Sequence, residues 1–353
     1  MTRFIACVIM LLLGFYSCQV DSSGIASGFE FEVHDYFLVD EARNDFTAPN
    51  WDNSSFFEAR ADSIASLGRV LFYDKRLSKN NTISCESCHQ QSRAFADGEQ
   101  FSVGLQNGIT TRSSMSLVNS VYQRRFFWES KTAFSSFNTG YGFMIPVLDP
   151  ISNHIEMGMN DIDELVRKLE EIDIYQELFE SIYDGKITDE TIGQALQLFI
   201  QSIISTDTKY DRALEDSYSY TVQEQLGLDI FNGKALCGQC HKGHSFVSTW
   251  RNTANIGLDM EYVDQGLGDG HFKIPTLRNI ALTGPYMHDG RFETLAEVID
   301  HYVNRVTNHP ELDWTLKSND IDLSNNEQEA LLAFLHTLTD YHLLQDQRYS
   351  SPF

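Results

Sequence analysis

No stretch of the 353 residues reaches the roughly 18 consecutive apolar residues of a membrane-spanning helix. Basic residues are scarce as well: 26 Lys and Arg stand against 50 Asp and Glu, a net charge of −24. Such a balance speaks against the phosphate backbone of nucleic acid as the main partner; it is compatible with a basic protein partner, though a solvated acidic surface is the commoner reason for such a charge. Strand-like alternation is rare, and no self-similarity shows at the periods of about 20–50 residues that mark repeat folds. Cysteine is used only six times. What remains is an ordinary globular composition, 42% hydrophobic and 22% charged, with enough apolar material for a sizeable core and none of the bias of a disordered chain, a collagen or a coiled-coil rod.

The one long apolar run, Phe4–Phe15, follows Arg3 and gives way to small residues. A positive start, a short apolar core and then small residues read as a secretory signal over 1–17. Ser17-Cys18 at its end looks like the lipid-attachment site of a bacterial lipoprotein, so export to the periplasm and a lipid anchor on Cys18 are expected. Residues 18–55 read as an acidic tether, part of which packs on the body through aromatics such as Phe31 and Tyr36. Cys7 is lost with the signal, which leaves Cys85, Cys88, Cys237 and Cys240 in an oxidising space where free thiols are unusual.

Those four cysteines form Cys85-Glu86-Ser87-Cys88-His89 and Cys237-Gly238-Gln239-Cys240-His241, both C-x-x-C-H. Thiols three residues apart share one face of a helical turn and can form thioethers to the two vinyl groups of a haem, and the adjacent His then offers its imidazole to the iron. A four-cysteine zinc site leaves the two histidines unexplained. A thioredoxin-like pair lacks its βαβ context, and a C-x-x-C disulfide closes too small a loop to stabilise much. Two covalent c-type haems are the expected cofactors.

Around the motifs the chain reads as mainly helical. Ala61–Tyr73 and Val222–Phe231 lead to the motifs, Asp161–Tyr183 and Ile192–Ile204 carry apolar residues at helical spacing, and Thr294–Val303 and Glu327–Leu343 close the chain. The expected fold is two cytochrome c-like haem domains, 56–205 and 206–345, packed around a shared interface, with a tail at 346–353.

Several stretches resemble the bacterial dihaem cytochrome c peroxidase family, which includes MauG. They are Leu67-Gly68-Arg69-Val70-Leu71-Phe72-Tyr73-Asp74, Phe95-Ala96-Asp97-Gly98, Phe127-Trp128, Ile155-Glu156-Met157-Gly158, Pro275-Thr276-Leu277-Arg278-Asn279 and Thr283-Gly284-Pro285-Tyr286-Met287-His288-Asp289-Gly290-Arg291-Phe292. The resemblance implies a division of labour. Hydrogen peroxide is split at the haem on His89, and the haem on His241 receives electrons from a small donor protein, a c-type cytochrome or a cupredoxin. Trp128 matches the tryptophan that carries electrons between the haems, Glu156 the acid–base glutamate, and Pro150 a proline over the same haem face. A calcium ion between the haems is implied, with Thr283 and Pro285 as carbonyl donors and Ser113 where the family has an Asn. Homodimers are common in the family.

The chain also departs from the family pattern. Leu105 stands sixteen residues after His89, where peroxidases carry a second His ligand, so this haem is expected to be open. Tyr302, fourteen residues after His288, stands where peroxidases have a Met ligand and MauG has a tyrosine. Met287 is the rival ligand. A tyrosinate oxygen is harder than a thioether and favours oxidised iron. Glu129-Ser130-Lys131 replaces the family's Asp-Gly-Arg, and His154 replaces a proline. A peroxidase is the first expectation, a MauG-like oxidase of aromatic residues in a partner protein the second, and a non-enzymatic dihaem carrier the third.

Overall fold

A computed structural model describes residues 31–36, 55–123, 125–130, 132–133, 144–248, 253–318 and 320–353; the signal segment, Cys18 and most of the expected tether lie outside them. The helices in chain order are α1 (Ser55–Tyr73), α2 (Met144–Ser152), α3 (Ile162–Glu170), α4 (Asp173–Tyr183), α5 (Asp189–Ser202), α6 (Lys209–Leu214), α7 (Val222–Asn232), α8 (Leu295–Asp300), α9 (Trp314–Lys317) and α10 (Asn325–His336). Sheet is confined, among the described residues, to two antiparallel pairs of two-residue strands: β1 (Arg125–Phe126) with β2 (Thr132–Ala133), and β3 (Thr253–Ala254) with β4 (Phe272–Lys273). The mainly α expectation holds.

Helix starts follow local chemistry. Thr221 with Glu224, Thr294 with Glu297 and Ser324 with Glu327 form capping boxes that open α7, α8 and α10. The long helix expected over Asp161–Tyr183 is two helices, broken at Glu171 and Ile172, where Ile172 turns to extended backbone. The last helix ends at His336, short of the expected Leu343.

Two hydrophobic cores organise the molecule. In the first, α1 crosses α5 at Gly68, where a Cβ would stand 1.9 Å from the Ala195 carbonyl oxygen. In the second, α7 crosses α10 at Gly227, where a Cβ would stand 2.0 Å from the Ala330 carbonyl oxygen. Only glycine permits either approach. The likeness extends further. Asn119 and Asn279 both adopt left-handed backbone, donate their N–H to Ile203 O and Leu338 O, and accept from the N–H of Ser205 and Asp340. The halves are therefore copies of one plan, and beside the C-x-x-C-H motif the stretches Leu67–Phe72 and Leu226–Phe231 share Leu-Gly-x-x-(Leu/Ile)-Phe.

The chain ends do not respect the expected boundaries. Leu343, placed in the second half, and Tyr349, placed in the tail, are buried in the first core together with Tyr36. The Tyr349 hydroxyl donates to Ser202 O at 2.6 Å, Tyr73 to Tyr349 O at 2.5 Å, and Arg69 to Ser350 O at 2.7 Å. The terminus thus seals the first core after the chain has built the second.

Candidate haem-binding and peroxide site

Both motifs fold into the same turn. Cys85–Ser87 and Cys237–Gln239 are single 3-10 turns, and His89 N and His241 N donate to the carbonyls of Cys85 and Cys237 at 3.0 and 2.9 Å. The ring orientations match too. His89 Nδ1 lies 3.0 Å from Phe95 O, and His241 Nδ1 lies 3.0 Å from Pro275 O. A carbonyl accepts, so Nδ1 carries the proton and Nε2 keeps the lone pair a metal needs. Burial lowers both imidazoles, His241 to about 4, which keeps them in the neutral, ligating form at pH 7.

The cysteines fit a haem better than zinc. None is in a disulfide. Burial pushes Cys85 up to about 12, Cys88 to about 11 and Cys237 to about 12. A thioether carries no charge, and burial does not penalise it. Among the described residues no three His, Cys, Asp or Glu side chains converge on a point that could hold a metal, so the two cysteine pairs do not form one cluster.

Cys237, Cys240 and His241 open on an apolar cavity with about 1740 Å³ of empty space, part of it continuous with solvent. Its walls include Tyr302, Met287, Trp128 and Lys273. Tyr302 belongs to a π-helical turn, His301–Arg305, that continues α8, an irregularity common at functional sites. Burial, foremost, keeps its phenol protonated. Met287 sits in left-handed backbone on another wall. Both candidate ligands thus face the same cavity. Thr283 and Pro285 line it as well, next to Ser113, whose hydroxyl donates to Met287 O at 3.0 Å and keeps its lone pairs.

Trp128 connects the halves. Its indole N–H donates to Ser113 O at 2.9 Å, in the segment where Ser114 Oγ donates to Cys88 O at 2.6 Å, while its carbonyl accepts from Lys273 N at 2.8 Å. It therefore touches the extended Ser113–Ser114 segment beside the first motif on one side and the cavity of His241 on the other.

Glu156 is partly buried beside the first motif. Burial raises its carboxyl above the ordinary value of 4.5, helped by the charges of Asp149 and Glu129. Its geometry is set by Asn153, a residue that sequence reasoning passed over. The Asn153 side chain donates to Glu156 Oε1 at 3.0 Å and accepts from Ile155 N at 2.9 Å, and its carbonyl accepts from Glu156, Met157 and Gly158. An Asn at a helix end is a turn former, and that was the available signal. Pro150 lies in the last turn of α2, and its carbonyl accepts from Asn153 N at 3.3 Å, so it supports this loop from behind. His154 is solvent-exposed.

Leu105 lies against this same loop. Its N–H donates to Ile155 O at 2.7 Å, its side chain is buried, and it fills the space where a Cβ on Gly158 would meet Leu105 Cδ2 at 2.3 Å. A side chain at 105 is therefore directed to the Glu156 loop. Leu105→His is expected to convert an open haem into one with two histidine ligands, visible as a high-spin to low-spin change in the ferric absorption spectrum. An unchanged spectrum would remove position 105 from the haem's neighbourhood.

Glu129, in the stretch that departs from the family pattern, pairs with Arg112, which also binds Asp264 of the second half through Nε at 2.6 Å. This ion triad spans the two halves next to Trp128 and holds Glu129 as a charge that Glu156 feels.

The sequence model for "Di-haem cytochrome c peroxidase" matches residues 62–219. The methylamine utilization protein MauG of Methylorubrum extorquens is 30% identical over 294 residues, 77% of this chain and 77% of that protein. The cytochrome c551 peroxidase of Nitrosomonas europaea is 28% identical over 291 residues, 78% of this chain and 80% of that protein. Among solved structures, a MauG-like protein associated with microbial copper homeostasis superimposes with a TM-score of 0.72 at 35% identity, covering 82% of this chain and 93% of that one.

Proposed function

Because this chain belongs to the dihaem cytochrome c peroxidase and MauG family, we propose that it is an exported dihaem peroxidase reducing hydrogen peroxide to water with electrons from a small, basic redox protein. The family accounts for covalently bound haem c and for dihaem peroxidase or oxidase activity. The finer reading rests above all on one observation: a partly buried carboxyl, Glu156, held by Asn153 beside the first motif, in a loop that Leu105 packs against without offering a ligand.

Cys85, Cys88 and His89 hold one haem, and Cys237, Cys240 and His241 the other. When bound, the haems supply iron that exchanges electrons and cleaves the O–O bond. The rest is the chain's own work. Glu156 takes a proton from peroxide and returns it to the departing oxygen, and a carboxyl shifted upward by burial suits both directions. Asn153 keeps one of its oxygens aimed while the other stays available. Leu105 leaves the peroxide side free of a competing imidazole. Trp128 offers a π-system between the two sites. Tyr302, which lines the cavity with His241, would offer an oxygen to the iron of the second haem, with Met287 as the alternative. A calcium ion held by the carbonyls of Thr283 and Pro285, with waters completing its shell, fits a site whose Ser113 hydroxyl retains its lone pairs. The charge of −24 attracts a basic donor and steers its encounter. Secretion to the periplasm with a lipid on Cys18 completes the reading.

The test is turnover by the all-ferric holoprotein given peroxide and a reduced small c-type cytochrome. Rapid, sustained oxidation of the cytochrome without prior reduction is the expected result. A second reading, a MauG-like oxidase of a partner protein's aromatic residues, is favoured by Tyr302 in the second cavity. Absent cytochrome turnover together with a long-lived change in the haem spectrum after peroxide would establish it instead.

A further inference from the structure

Lys273 is buried, 7% exposed, in a molecule whose other lysines have little reason to leave water. Among the described residues its ammonium finds one hydrogen-bond partner, the neutral side-chain oxygen of Gln123, itself buried in the first half. Its backbone N–H holds Trp128 O, and its side chain lines the cavity that His241 and Trp128 share. Two residues on, Pro275 O fixes the His241 ring. One lysine thus grips the relay tryptophan, a first-half amide and the second haem pocket together.

The nearby charges are engaged elsewhere. Arg125 donates to Ser130 O at 2.8 Å, Glu129 is paired with Arg112, and Arg278 is paired with Asp211. The paired strand β3 presents Thr253 and Ala254, neither titratable, and on β4 Phe272 stacks on His288. His241, Tyr302 and Asp313 line the same cavity. Burying an ammonium without a carboxylate is costly and needs a reason.

We propose that Lys273 is a positioning residue for the electron path, fixing Trp128 against the second haem pocket and placing there a cation that makes the haem on His241 easier to reduce. The proposal rests on the two-haem reading above. Burial, with no opposing carboxylate, pushes the amine down to about 7. Its folded pKa lies below the usual 10.5, so the charge is present below about pH 7 and absent above it. A positive charge opposes removal of an electron from a neighbouring site. The haem on His241 should therefore become easier to reduce as pH falls through that range, and by linkage Lys273 should bind its proton more tightly when that haem is reduced.

The experiment is a spectroelectrochemical titration of the holoprotein from about pH 8 to about pH 6, the range in which such a group changes charge. Wild type is expected to show a rising potential for the His241 haem as pH falls, and Lys273→Met to show a lower potential with that rise lost. Gln123→Glu, which leaves the lysine in place and gives it a carboxylate, should move the rise to higher pH. An unaltered pH dependence in Lys273→Met, with both haem spectra normal, would overturn the proposal; so would an unmoved rise in Gln123→Glu if Lys273→Met does not fold. Trp128→Phe separates the underlying reading. If it leaves electron exchange between the haems unchanged, the relay role falls while the effect of Lys273 on the potential stands.

Discussion

Replacing Glu156 by glutamine lowers peroxide turnover by about 10²–10⁴-fold, the usual yield of a positioned acid–base group, while both haems remain attached. Glutamine preserves the shape of the side chain and can still meet Asn153 by turning its amide, so the loop that Asn153 organises survives. It cannot accept and return a proton. The pH profile supplies a second readout. Burial and the charges of Asp149 and Glu129 raise the Glu156 pKa above 4.5. The carboxylate is the form that takes the first proton, so wild-type kcat/KM for peroxide should fall as pH drops through that raised value. The Gln variant should lack this acid limb. Stopped-flow reaction with peroxide over a pH series measures both. Undiminished reactivity would take the acid–base role away from Glu156.

The turn that carries Glu156 leaves a short motif, Ile155-Glu156-Met157-Gly158, because its geometry is local: Gly158 adopts left-handed backbone, and Glu156, Met157 and Gly158 all donate to one carbonyl. The C-x-x-C-H pairs were legible for the same reason, since covalent attachment demands a fixed geometry within a single turn. Helix starts were marked by capping boxes that act over three residues. Sequence was silent wherever the decisive contact is long-range. Phe272-Lys273-Ile274 reads like any strand with a solvent-facing lysine, and only the fold shows that Gln123, 150 residues away, closes over it. Tyr349 looked like part of a tail because its partners, Ser202 and Tyr73, lie far back in the chain. The continuous helical periodicity over Asp161–Tyr183 concealed a break because both resulting helices present their apolar faces to the same core. The matching roles of Asn119 and Asn279 were hidden because the N–H and side-chain oxygen of each bond main-chain groups far away in sequence, and the shared (Ser/Thr)-Leu-x-Asn is too short to reveal that.

Replacing Arg278 by methionine destabilises the second half by about 3–5 kcal/mol, the cost of stranding one member of a buried ion pair. Arg278 is among the largest fully buried side chains of the molecule. Its guanidinium donates to Asp211 through both terminal nitrogens and to His244 O through Nε at 2.8 Å, and it lies over the rings of Tyr210 and Phe246. It joins α6, the loop after the second motif and the Pro275–Asn279 segment, so its loss reaches the carbonyl that orients His241. Methionine fills much of the volume but leaves the Asp211 carboxylate with only the Thr208 groups as partners. In the native fold burial pushes the Asp211 pKa up, but the Arg278 bonds prevail and hold it below 3.8. A depressed carboxyl contributes stability above its unfolded pKa and loses it as pH falls through the folded value. The wild-type advantage should therefore be full at neutral pH and shrink in strong acid. Denaturant unfolding of the two holoproteins, followed by the absorbance of the His241 haem, reads the difference directly. Equal midpoints at pH 7 would show that the pair is dispensable, and that methionine packing alone holds the second core.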